Sequence, residues 1–259
     1  MFFKGSNINY LSTRYLLTYN FLQVIGWSYI LFLLITQFGR NALWETIKLP
    51  IIIFQNAALL EILHALTGLV KSNPSLTSFQ VFSRVIIVCG VLLATPSTSA
   101  PSSLGLPLSI LAWSITEIIR YSYYFANLVG YIPYYLSWLR YSTFIILYPI
   151  GITGELLCLY AATEFARKSY EVWSYVLPNM WNFTFSYYYF LIAVMLLYIP
   201  LYKRMFITLN LKALGFRRLH YEVMGIFETM LDILVSFVLD KESRKLISSW
   251  FEHFQVRRL

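Results

Sequence analysis

Glu61, His64, Arg84, Glu117, Arg120, Arg140 and Glu155 stand inside otherwise apolar stretches of this 259-residue chain. An ionisable side chain in hydrocarbon costs at least about 2.5–3.5 kcal/mol to insert, so each one marks a candidate functional site. Glu155 is the deepest of them, and Tyr148 precedes it by seven positions. Seven residues make two helical turns, which puts the two side chains on one face roughly 10.5 Å apart along the axis. That spacing leaves room for a substrate between a phenol and a carboxyl. Pro149, Gly151 and Gly154 fall in the same run. They loosen the backbone ladder and let a ligand or another helix come close. A polar contact between helices at a kink, with Tyr148 as one of 21 tyrosines engaged in packing, is the reading without chemistry.

The three arginines suggest a second kind of chemistry. A guanidinium fork binds phosphate oxygens bidentately, so Arg84, Arg120 and Arg140 around one opening would suit an anionic head such as a nucleotide or coenzyme A. Snorkelling to lipid phosphates is the competing reading for any one of them. Glu117 and Arg120 are three apart and can neutralise each other on one helix face. Glu61 and His64 have the Glu-x-x-His spacing of di-iron bundles, but that chemistry needs a second copy and further glutamates, which the sequence lacks. Interhelical hydrogen bonding is the reading we carry for that pair. There is no Walker loop, dinucleotide glycine pattern, Cys/His zinc spacing or serine elbow.

The elements that must position these groups are membrane spans. The chain is 58% apolar and 12% charged, where a soluble domain carries about 25% charged residues. Residues 1–202 hold only 10 Lys+Arg and 6 Asp+Glu; residues 203–259 hold as many of each again. This composition excludes a disordered chain, a disulfide scaffold (Cys89 and Cys158 are the only cysteines) and a nucleic-acid-binding domain. Both cysteines fall in predicted spans and read as inert core thiols. The net charge of +8 points to a membrane face.

About 20 apolar helical residues cross a bilayer, and six windows qualify: about Tyr15–Phe38, Leu49–Val70, Phe79–Thr95, Leu106–Leu128, Trp138–Thr163 and Phe185–Phe206. Pro50 is expected near the start of the second, where its missing N–H costs least. Residues 96–103, with two prolines and four serines, read as a loop. The first window contains Thr18, Asn20 and Gln23 and lacks a cleavage pattern, so it reads as a retained span. Six spans put both termini on one side. The Lys203, Arg204, Lys212, Arg217, Arg218 cluster favours the cytoplasm for that side, against a poor vote from Arg40, Lys48, Arg167 and Lys168. In this topology Arg84, Arg120 and Arg140 all fall toward the cytoplasmic end. Residues 1–204 are expected to form the membrane domain, and 205–259 a cytoplasmic basic, amphipathic tail. Within the tail, Val223–Leu239 carries Glu228 and Asp232 and reads as a surface helix.

The stretch Trp138-Leu139-Arg140-Tyr141 through Leu147-Tyr148-Pro149-Ile150-Gly151 to Gly154-Glu155-Leu156 resembles the signature of the very-long-chain (3R)-3-hydroxyacyl-CoA dehydratases, the protein-tyrosine-phosphatase-like A family. Further matches are Tyr19-Asn20, Trp27, Leu60-Glu61, His64, Ser83-Arg84, Trp113-Ser114, Glu117, Arg120 and Tyr121, so the resemblance covers residues 13–204. It implies an all-α protein with six spans enclosing a substrate tunnel in the endoplasmic-reticulum membrane. It also implies a lyase that removes water from long- and very-long-chain (3R)-3-hydroxyacyl-CoA to give trans-2-enoyl-CoA, the third step of fatty-acid elongation. Tyr148 and Glu155 then carry over as the catalytic pair. Arg84, Glu117, Arg120 and Arg140, with Gly151 and Gly154, carry over as substrate-binding or supporting residues. No cofactor or metal is implied; the implied partners are the elongation condensing enzymes and the ketoacyl and enoyl reductases. Either member of the pair is chemically able to be the acid, with the other as base.

Two other functions compete with this one. A cysteine phosphatase needs His-Cys-x5-Arg, but the corresponding run is His64-Ala65-Leu66-Thr67-Gly68-Leu69-Val70-Lys71, with no nucleophile and no terminal arginine. A catalytically silent scaffold for elongation enzymes is the other, and the presence of both Tyr148 and Glu155 speaks against it. The tail departs from the family, whose members end soon after the sixth span in a short lysine-rich segment.

Overall fold

The computed structural model describes residues 10–39, 43–169, 171–175, 180 and 182–210. Among these the secondary structure is helical, apart from one isolated antiparallel bridge between Tyr175 and Phe185. The chain divides into two compact units, Met1–Cys158 and Leu159–Leu259.

The first unit contains α1 (Tyr10–Gln37), α2 (Leu43–Ala57), α3 (Leu59–Leu66), α4 (Pro74–Val85), a π-helical stretch Ile86–Leu92, α5 (Gly105–Val129), α6 (Tyr134–Ser142) and the first part of α7 (Phe144–Lys168). On α1, Leu16, Asn20, Gln23, Trp27, Ile30 and Leu34 are buried, a stripe at helical spacing that packs along α5 and α2. The other side of α1 is also apolar and exposed, with Phe21, Ile25, Phe32 and Ile35 outward. A helix apolar all round suits hydrocarbon rather than water. Tyr10–Gln37, Leu43–Leu66 and Ile146–Lys168 are each long and apolar enough to cross a membrane. α4 starts on an Asn73 cap, whose side chain accepts from Ser75 N at 3.0 Å, followed by Pro74 in the first turn. α5 ends at Gly130, whose φ of 91° is open to glycine without a Cβ penalty.

The helices depart from the expected windows in instructive ways. The second begins at Leu43, so Pro50 lies in its interior, and the buried Trp44 and Ile47 ahead of it supply packing that offsets the lost hydrogen bond. It is also interrupted at Ala58. The expected fifth span is likewise interrupted, at Thr143, whose hydroxyl donates back to Leu139 O at 2.6 Å. Arg140 therefore belongs to the short α6. The third window changes to π-helix at Ile86, with Leu93 N donating to Val88 O at 3.0 Å. Cys158 is a buried thiol as expected, but Cys89 is exposed.

In the second unit, the end of α7 and α8 (Tyr187–Asn210) bury Leu159, Ala162, Leu191 and Met195. The Thr163 hydroxyl lies 3.9 Å from Met195 Sδ. The expected surface helix at Val223–Leu239 lies outside the described residues.

Candidate active site

α7 presents Tyr148 and Glu155 two turns apart in one continuous helix. Glu155 is 8% exposed, and its Oε1 accepts a 2.7 Å hydrogen bond from Trp113 Nε1 on α5. Trp113 is itself 2% exposed. Tyr148 is half-buried.

The glycines between them explain how α5 reaches α7. A Cβ on Gly154 would lie 2.5 Å from Ser109 N and Oγ, and one on Gly105 would lie 2.7 Å from Cys158 N. Gly151 meets only the Ala112 methyl, at 3.3 Å. It is thus a neighbouring helix, not a ligand, that occupies the space these glycines leave. α5 and α7 approach backbone to backbone along Gly105, Ser109 and Ala112, and that approach lets the Trp113 indole reach Glu155.

A second cluster ties α3, α4 and α5 together. Arg84 in the last turn of α4 donates to Glu117, and Arg120 Nη2 lies 2.6 Å from the other Glu117 oxygen, using the i,i+3 spacing. Arg120 also donates to Glu61 Oε1 on α3 at 2.9 Å, and the Tyr121 hydroxyl donates to the same oxygen. Two arginines and two carboxylates leave the cluster without net charge, the condition under which ions are tolerated away from water. Glu117 is 1% exposed. Glu61 thus serves interhelical hydrogen bonding. His64 Nε2 lies 2.9 Å from the Tyr15 hydroxyl on α1, with the Tyr19 ring edge-on to it at 5.1 Å. Among the described residues no group of three or more His, Cys, Asp or Glu is arranged to hold a metal.

Arg140 is placed differently. Its guanidinium lies 4.1 Å from the Tyr123 ring centroid and 4.9 Å from that of Tyr124, and among the described residues it has no carboxylate partner. Its Nη1 is buried with no hydrogen-bond partner among them. The structure therefore gathers Arg84 and Arg120 on Glu117 and holds Arg140 against two aromatic rings.

Trp113 is the partner that spacing alone misses, because it lies 42 positions from Glu155. Its ring faces Arg84, with Cζ 5.7 Å from the centroid, so it also touches the ionic cluster.

Comparison with known proteins gives the family. The family described as "Protein tyrosine phosphatase-like protein, PTPLA" matches residues 55–213. The human protein named very-long-chain (3R)-3-hydroxyacyl-CoA dehydratase 2 is 42% identical over 200 residues, covering 76% of this chain and 78% of that protein. The chain belongs to the PTPLA family. Other members are similarly near: the Arabidopsis thaliana dehydratase PASTICCINO 2 is 40% identical over 190 residues, 72% of this chain and 85% of its own length. The Caenorhabditis elegans dehydratase hpo-8 is 39% identical over 197 residues, 74% of this chain and 89% of its own. No solved structure matches the chain. The family match takes in Glu61, Arg84, Trp113, Glu117, Arg120, Arg140, Tyr148 and Glu155.

Proposed function

We propose that this PTPLA-family chain is a hydro-lyase that removes water from long- and very-long-chain (3R)-3-hydroxyacyl-CoA to give trans-2-enoyl-CoA, the dehydration step of fatty-acid elongation. The names of its relatives support the reaction class. The observation in the molecule that carries it is the buried, hydrogen-bonded Glu155 two helical turns from Tyr148 on one helix. In dehydration the C2–H bond and the C3–O bond break, a C2=C3 bond forms, and water leaves. One of the two side chains takes the C2 proton while the other protonates the departing hydroxyl. The pair regains its starting protonation when the proton taken up by the base returns to the acid, directly or through water.

The substrate itself argues for the setting. Its acyl chain favours hydrocarbon and its coenzyme A head favours water, so the chemistry belongs just inside a membrane face. We place six spans around a substrate tunnel in residues 1–204, in the endoplasmic-reticulum membrane with both termini cytoplasmic, and treat 205–259 as a cytoplasmic tail. The elongation condensing enzyme and reductases are the partners this step requires. Arg140 is the arginine suited to the anionic head, since Arg84 and Arg120 are held by carboxylates. Gly151 and Gly154 support the site by admitting α5.

Detergent-solubilised protein supplied with (3R)- and (3S)-3-hydroxyacyl-CoA of several chain lengths tests this reading. Enoyl-CoA is expected from the (3R) series; a catalytically silent scaffold yields none from either.

A further inference from the structure

We propose that Trp113 is the positioning residue of Glu155 and that Arg84 acts on the reaction through it. The inference rests on the dehydratase reading above and goes beyond it to how the carboxyl is held. An indole N–H donates and never accepts. Oε1 of Glu155, 2.7 Å from Trp113 Nε1, is therefore an acceptor in the resting site, and because a carbonyl oxygen accepts better than a hydroxyl oxygen, the bond favours Oε2 as the oxygen that carries a proton. The bond thus distinguishes the two carboxyl oxygens and fixes the plane of the group. A rotating carboxyl in an apolar layer would exchange its two oxygens; this one is held by one of them.

The indole is fixed in turn. It is 2% exposed, its helix is clamped against α7 where Gly154 meets Ser109, and the Arg84 guanidinium lies over its ring at 5.7 Å. Arg84 is anchored by Glu117, which Arg120 also holds. The ionic cluster and the carboxyl are thereby joined by one aromatic ring. This gives Arg84 a role that needs no contact with coenzyme A.

The test uses the purified full-length chain. In a protein carrying the benzothiophene analogue of tryptophan at position 113 the bicyclic ring stays and the N–H is gone, and Trp113→Phe removes the N–H together with the five-membered ring. kcat for a (3R)-3-hydroxyacyl-CoA is expected to fall roughly 100-fold, the scale of a misplaced reacting group, with KM little changed. The pH–rate profile is expected to move in both, and the Trp113→Phe loss is expected to shrink in a Glu155→Asp background, since both act on one group. The contact is read without activity from the indole Nε1–H resonance of 15N-tryptophan-labelled protein, identified by its absence in Trp113→Phe and expected to shift in Glu155→Ala. Wild-type kcat in the benzothiophene protein, or equal losses in the two backgrounds, overturns the proposal; so does an unshifted resonance. Full activity in Glu155→Gln instead overturns the assignment of Glu155, and a wild-type chain without turnover overturns the dehydratase reading. The resonance still decides the contact in both cases.

Discussion

Gly154 on α7 lies so close to Ser109 on α5 that a Cβ at 154 would sit 2.5 Å from the Ser109 amide nitrogen and hydroxyl. Real side chains do not pack at that distance, so the two helices must part for any residue but glycine. Overpacking of this kind costs about 1–3 kcal/mol. Gly154→Ala is therefore expected to lower dehydration roughly 100-fold by moving Trp113 away from Glu155. Gly151→Ala would meet the Ala112 methyl at 3.3 Å, a crowding that a shift of a few tenths of an ångström relieves, and is expected to lose less activity than Gly154→Ala. Parallel assays of the two purified proteins check the contrast.

Glu117 neutralises two arginines while almost fully buried. Removing one partner of a buried ionic group leaves charge without compensation, at a cost of about 3–5 kcal/mol. Glu117→Ala is expected to lower the thermal denaturation midpoint of the detergent-solubilised protein sharply. The exposed Arg167–Glu164 pair, 2.8 Å apart, is a control: Arg167→Ala is expected to change stability by no more than about 1 kcal/mol.

Among the described residues, Arg140 has rings rather than carboxylates beside it. Arg140→Ala is expected to raise KM for acyl-CoA more than it lowers kcat. Arg84→Ala is expected to lower kcat. Steady-state kinetics at two salt concentrations separate them, because a contact with coenzyme A phosphates weakens as salt screens it.

Residues 213–259 follow the end of α8 at Asn210 and lie beyond the family match, or at its last residue. Deleting them is expected to leave dehydration intact, measured in membranes where the truncated protein is present at wild-type level. Loss of activity there would make the tail part of the enzyme.

What was legible in the sequence follows the range of the interactions. Tyr148 and Glu155 share a helix, and Glu117 and Arg120 lie one turn apart, so helical periodicity alone relates each pair. The apolar windows were legible because hydrocarbon demands length and composition, though not their interruptions at Ala58 and Thr143, which are made by local backbone geometry. The partners in contacts that cross between helices were not legible. The charges of Arg84 and Arg120 were plain, but not their shared carboxylate or the bond to Glu61, which depends on α3 lying beside α5. Trp113 matched the family pattern without a role, because its meaning comes from the close approach of Gly105 and Gly154, 49 positions apart.

The most direct measurement is conversion of (3R)-3-hydroxyacyl-CoA to trans-2-enoyl-CoA by the purified chain beside its Tyr148→Phe and Glu155→Gln variants. Turnover by the wild type is expected, with a loss of at least roughly 100-fold in each variant while the folded protein is retained. Full activity in either variant, or no turnover by the wild type at any chain length, would contradict the assignment of this helix face as the site of dehydration.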